Sequence, residues 1–178
     1  ERKTIFKTIS PKTSRDYWKD KFETIADTTI YKIKELKSGD LLTLYAKELS
    51  AECLKLVTGL TNMTAAEMDR VSQGMIDGCS NYTGDSKIEM HCNNCTQSID
   101  AHINEIVRGM NRKSDFSMIS TMLEGKLSAD QISANIKLAI SGGQNEPRDA
   151  IAGCIWAILN FELKERLLEK KSWGQLFS

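Results

Sequence analysis

Residues 128–159 read SADQISANIKLAISGGQNEPRDAIAGCIWAIL, and the reading of this stretch decides the fold. Ser128 followed three positions later by Gln131 is a capping-box start for a helix. Beyond it Ile132, Ile136, Leu138, Ala139 and Ile140, then Ile151, Ile155, Trp156 and Ile158, recur at helical spacing. Taken as one helix, the stretch is about 48 Å long at 1.5 Å per residue. A compact chain of 178 residues is only about 40 Å across. The C-terminal half is apolar almost all round, the pattern of a helix buried on every side. Such a helix is expected at the centre of a larger body.

Gly142-Gly-Gln-Asn-Glu-Pro147 interrupts it. Two glycines cost about 1 kcal/mol each against alanine, and a proline about 3. Pro147 has no N–H, so the Gly143 carbonyl loses its helical partner. Gly142 and Gly143 carry no side chains, so a flat or bulky ligand can approach the backbone. The stretch predicts a bend, a freed carbonyl and a shallow groove in mid-helix. Asn145 and Glu146 stand beside that groove, and a carboxylate there is a candidate proton carrier. The same residues also fit two separate helices, 128–140 and 147–159, with Pro147 at the first helical position and Glu146 on a solvated loop.

Outward from this stretch the chain reads as helix nearly throughout, about eight in all, with no strand signal and no repeat. Residues 1–9 form a short amphipathic helix that stops at Ser10-Pro11. Thr13 or Ser14 caps a second helix, carrying Tyr17, Trp18, Phe22, Ile25, Thr29, Ile33 and Leu36, that ends at Ser38-Gly-Asp40. A third covers 42–59. Thr64 caps a fourth over 65–80, with Met68, Val71, Met75 and Ile76 on one side. A fifth covers 87–110, a short sixth 115–124, and a charged last helix 161–171.

Lys plus Arg and Asp plus Glu are 24 each, so bulk positive charge does not announce a nucleic-acid binder. Of five cysteines, Cys92 and Cys95 with His91 give half of a zinc spacing and no second half, so no metal site is assigned. The odd count and irregular spacing suit a reduced, cytoplasmic chain. The apolar runs fall well short of the about 20 residues a membrane span needs.

Ile140-Ser-Gly-Gly-Gln-Asn-Glu-Pro-Arg-Asp-Ala-Ile151 resembles the central distal helix of the cytochrome P-450 haem-thiolate monooxygenases of the soluble bacterial type. The usual pattern there is Ala/Gly-Gly-x-Asp/Glu-Thr-Thr/Ser. Gly142 and Gly143 match its glycines, Asn145 falls on the acid and Glu146 on the oxygen-activating Thr. Asp40-Leu-Leu-Thr-Leu-Tyr-Ala46 through Gly59-Leu60 is similar to another helix of the family, and Lys126 to Ile132 to its lead-in. Arg2-Lys3 with Ser10-Pro11 resembles the end of the helix whose Arg, here Arg2, binds a haem propionate.

The resemblance implies an all-α, incomplete part of a mainly α fold over residues 1–178. It implies a haem cofactor, with oxygen activation and hydroxylation or O-dealkylation of a small organic substrate. Ferredoxin and reductase would be the electron donors. Asn145 and Glu146 would take the catalytic positions, Gly142 and Gly143 the oxygen groove. Leu138, Ser141, Met75, Ile76 and Cys79 would line the substrate pocket, the last three as lid positions. The family's Phe-x-x-Gly-x-x-x-Cys-x-Gly loop does not occur in these 178 residues, and no Glu-x-x-Arg follows the distal-helix stretch, so the axial Cys would lie outside them and this part alone would be inactive. Plain core packing is the competing account of the methionines. The competing function is a non-catalytic helical interaction domain with the Gly-Gly…Pro segment as a hinge.

Overall fold

The computed structural model describes residues 2–109 and 115–161, and among these residues every regular element is helical. The charged helix expected over 161–171 falls outside them, apart from Phe161. No helix of the described residues is long and apolar enough to cross a membrane.

α1 (Arg2–Ile9) stops before Pro11, as the proline dictates. The next helix begins one turn earlier than Thr13. Ser10 is the cap, its side chain accepting from the Thr13 N–H, and Pro11 takes the first helical position of α2 (Pro11–Thr13). A π-helical turn, Ser14–Trp18, leads into α3 (Lys19–Ile33). That turn sets Trp18 inward, where its indole N–H donates to the Thr8 carbonyl at 2.8 Å. Thr8 in turn meets Thr121 at 3.0 Å, which fastens α1 to α7 (Met118–Glu124).

A second π-helical turn, Leu42–Lys47, opens α4 (Glu48–Thr58). Gly59 closes α4 in the left-handed region at φ 92°, where a side chain would also meet Ser117. Thr64 caps α5 (Ala65–Cys79), as read from the sequence. α5 and α6 (Ser86–Gly109) form a helical hairpin closed by residues 80–85. The core gathers Met68, Val71 and Met75 of α5, Cys95, Ile99 and Ile103 of α6, Ile119 and Met122 of α7, and Ile132, Ile136 and Ile140.

The long stretch divides. Ser128 and Gln131 form the expected capping box, and α8 runs Ala129–Gly143. α9 runs Asn145–Asn160, with Pro147 in its first turn. Gln144 between them stays right-handed (φ −98°, ψ −51°), so the chain bends there instead of leaving in a loop. Neither expectation holds whole: the helix is not continuous, and Glu146 is not on a loop. α9 is also not buried on every side, because none of its residues is fully buried and Trp156 is 60% exposed. Its neighbours, α4 and the 42–47 turn, cover one side only.

One charge cluster pins the α5–α6 hairpin. Glu67 accepts from Arg70 at 2.6 and 2.7 Å and from Ser98 of α6 at 2.6 Å. The Arg70 hydrogen bonds, with help from Ser98 and against the pull of burial, hold the Glu67 carboxyl down at about 2 from its ordinary 4.5. A carboxylate whose folded pKa lies below its unfolded value stabilises fully above the unfolded pKa and loses that contribution as pH falls through the folded one. In Glu67→Gln the urea midpoint is expected to fall less than in the parent between pH 4.5 and 2. Equal acid losses in the two proteins would show that Glu67 carries none of this dependence.

Candidate functional site

The bend is built from a line of four residues. Ile132, Ile136 and Ile140 are buried at successive i+4 positions, and Gln144 is the fourth, fully buried in the same line. A buried amide must be paired. Ser50 of α4 donates to the Gln144 backbone carbonyl at 2.7 Å and stands 3.4 Å from its Oε1. The Gln144 Nε2 reaches the Lys47 carbonyl at 3.4 Å. Ser72 of α5 donates to the Ile140 carbonyl at 3.2 Å. Helix carbonyls at an interruption are thus taken up by hydroxyls from two neighbouring helices. The Arg148 N–H also returns to the Gln144 carbonyl, at 3.3 Å.

The two glycines serve different ends. A side chain at Gly143 would run into Leu54, 2.8 Å away, so Gly143 lets α4 close against α8. Gly142 faces outward, and a Cβ there would meet only the Glu146 Oε1, at 3.9 Å. Of the pair, Gly142 alone leaves backbone open to a ligand. Leu138, Gly142, Glu146, Asp149, Gly153 and Trp156 are all exposed and follow at intervals of three or four, so they share one face across the bend. Leu138 is 71% exposed on it. Glu146 therefore stands in the open and not in an apolar pocket.

Asn145 is half-buried, and its Oδ1 is buried with no hydrogen-bond partner among the described residues. That acceptor lies one residue from the open carboxylate. Two ion pairs flank the bend. Lys47 pairs with Asp69 at 2.9 Å, and the largely buried Arg148 with Asp149 at 2.8 Å. The Asp149 hydrogen bond, then Asp69 and Glu146, bind the Arg148 proton more firmly than usual, against its burial.

The other expected positions are scattered by the fold. Ser141 is half-buried and donates to the Leu138 carbonyl at 3.0 Å. Met75 is buried in the core, Ile76 is half-buried, and Cys79 is exposed at the end of α5. Met75 thus packs in the core among the described residues. Arg2 is exposed on α1, whose main partner is α7, and among the described residues no hydrogen bond or ion pair joins it to the bend. The bend itself is brought together as Gly142, Asn145 and Glu146 over the Ser50–Gln144 clamp. Two surface grooves of about 350 and 400 Å³ open beside Asn62 and Glu105 and beside Ile103 and Leu127, and neither includes a residue of the bend.

Ser50, Ser72 and Gln144 were not singled out from the sequence. The signal for Gln144 was present, since it continues the Ile132–Ile136–Ile140 line by four residues. No signal marks Ser50, because its partner lies 94 residues away. No protein-family model matches the chain.

Ser50→Ala is expected to lower stability by about 1–3 kcal/mol, the cost of leaving a buried polar partner unsatisfied. Urea unfolding of the variant measures it. A loss under about 0.5 kcal/mol, the range of an ordinary surface change, would mean the bend does not depend on this hydroxyl.

Proposed function

We propose that this chain is the distal helical part of a haem-thiolate monooxygenase of the cytochrome P-450 type, acting on a small organic substrate within a longer protein. The observation that carries the reading is the open face across the bend. Gly142 is bare there, Glu146 stands over it, and the exposed Leu138 and Trp156 flank it on either side. Exposed large apolar side chains on both sides of a bare glycine suit a cover. A flat, apolar, iron-bearing ring suits a surface whose centre is a glycine backbone.

The residues present fit such a ring on one side. Gly142 leaves room for its approach. Leu138 offers an apolar wall. The family's cysteine loop is absent from this sequence, so the thiolate has to come from elsewhere in the longer protein. When bound, haem supplies the activation of oxygen. This chain's residues then do four things. Ser50 and Gln144 hold the bend in place. Gly142 keeps the backbone approachable. The Asn145 Oδ1, buried behind the face and without a partner among the described residues, accepts a hydrogen bond from a donor brought by the rest of the longer protein, and the Glu146 carboxylate takes up and releases a proton at the face. Ferredoxin-type donors, or a peroxide oxidant, complete the reaction. A role for Arg2 at a haem propionate belongs to the same proposal.

The same face supports a second reading, a non-catalytic domain whose apolar surface docks another protein. Turnover separates the two. In the longer, haem-containing protein, Glu146→Ala is expected to slow product formation by about 10²-fold or more, the scale of a lost proton carrier, and to lower the fraction of consumed oxygen that appears in product. Coupling equal to the parent's would remove Glu146 from the reaction. No oxygen-dependent product from the parent, with any reductant or peroxide, would leave the docking reading.

A further inference from the structure

Three cysteines lie along the seam between α5 and α6, away from the bend. The hairpin is closed at its turn, where Asn81 and Asp85 exchange hydrogen bonds at 2.9 Å in both directions. Gly74 and Gly78 lie one helical turn apart on α5 and let side chains of α6 rest directly on its backbone. A Cβ at Gly74 would meet the Cys95 Sγ and lie 3.1 Å from the His91 Nε2. A Cβ at Gly78 would meet the Cys92 Sγ and lie 2.6 Å from the Cys92 Cβ.

The three thiols have different surroundings. Cys95 is fully buried, and its Sγ lies 3.3 Å from the Arg70 Nη1. Cys92 is half-buried and makes no hydrogen bond among the described residues. Cys79 is exposed, is the last residue of α5, and adjoins the glycine on which Cys92 rests. Burial first, then the charge of Cys79, makes Cys92 hold its proton more firmly. Cys92 points to Gly78 and Cys95 to Gly74, so these two diverge along their own helix. Among the described residues no group of His, Cys, Asp and Glu is arranged to hold a metal.

The geometry points to a modification site: Cys79 and Cys92 form a thiol pair that a peroxide closes to a disulfide. Bridged residues need Cα atoms within about 7 Å. The glycine contact draws the two helices together at this point, and the helix end at Cys79 gives the backbone freedom to adjust. The exposed Cys79 is the entry. Its thiolate sulfur attacks one peroxide oxygen, the O–O bond breaks, and hydroxide leaves to become water, giving a sulfenic acid. The Cys92 thiolate then attacks that sulfur. An S–S bond forms, the S–O bond breaks, and the departing hydroxide takes up the proton that Cys92 released. Two thiols and one hydrogen peroxide become one disulfide and two waters. The bridge ties the end of α5 to α6 across the seam, and it does not depend on the haem reading.

The test is treatment of the reduced chain with hydrogen peroxide, followed by trypsin digestion without reductant and mass spectrometry. The expected product joins residues 71–87 to 88–108, with fragment ions placing the bridge on Cys92. Two thiols per chain are lost, and the link persists in Cys95→Ser but disappears in Cys79→Ser. The fragment ions of the parent assign the bridge by themselves, so the result stands even if a variant folds poorly. Cys79 carried on to sulfinic acid without a link, a bridge placed on Cys95, or a cross-chain dimer on a non-reducing gel would each overturn the proposal.

Discussion

The arrangement of the second half of the molecule depends on one buried hydroxyl. Ser50 donates to the carbonyl of Gln144 at the point where α8 ends and α9 begins. Three isoleucines bury α8 in a line, and the fourth place in that line falls to an amide. An unpaired amide there would cost as much as a lost core contact. Ser50 and the Lys47 carbonyl remove that cost, and Gly143 gives α4 the room to approach. With the bend fixed, α9 continues in the right-handed region, one side against α4 and the other open. Gly142 and Glu146 are presented on that open side by the same contacts.

Most helix ends were legible because they are set by local chemistry. Thr64 and Ser128 cap from their own side chains, Pro11 ends α1, and Gly59 ends α4 with the one backbone conformation that favours glycine. The start of the second helix was misplaced for a local reason too. Pro11 is best accommodated at a first helical position, which makes Ser10 the cap and leaves Thr13 as its donor. The two π-helical turns were not legible, because segments as short as 14–18 and 42–47 hold too few apolar residues to reveal a change of period.

The site was legible in part. Gly-Gly…Pro marked the interruption, but the sequence could not say which glycine faces inward, since that depends on Leu54 of a distant helix. The expectation that the C-terminal half is buried all round failed for a related reason. An apolar surface reports what a helix would bury if a partner were present, and burial itself requires the partner. Met75 lies in the core, as the core-packing account of the methionines has it. The exposure of Leu138, Trp156 and Leu159 is thus the most informative departure between composition and fold.

That exposed face carries the functional account, and the account names its cover as a thiolate-ligated haem. The measurement that tests this most directly is the difference spectrum of the longer protein, reduced and exposed to carbon monoxide. The account predicts the strongly red-shifted Soret band of a thiolate-ligated haem, diminished when Gly142 is replaced by a bulky residue such as Trp. A protein that purifies without haem, or whose reduced carbon-monoxide complex shows the band of histidine ligation, would contradict it.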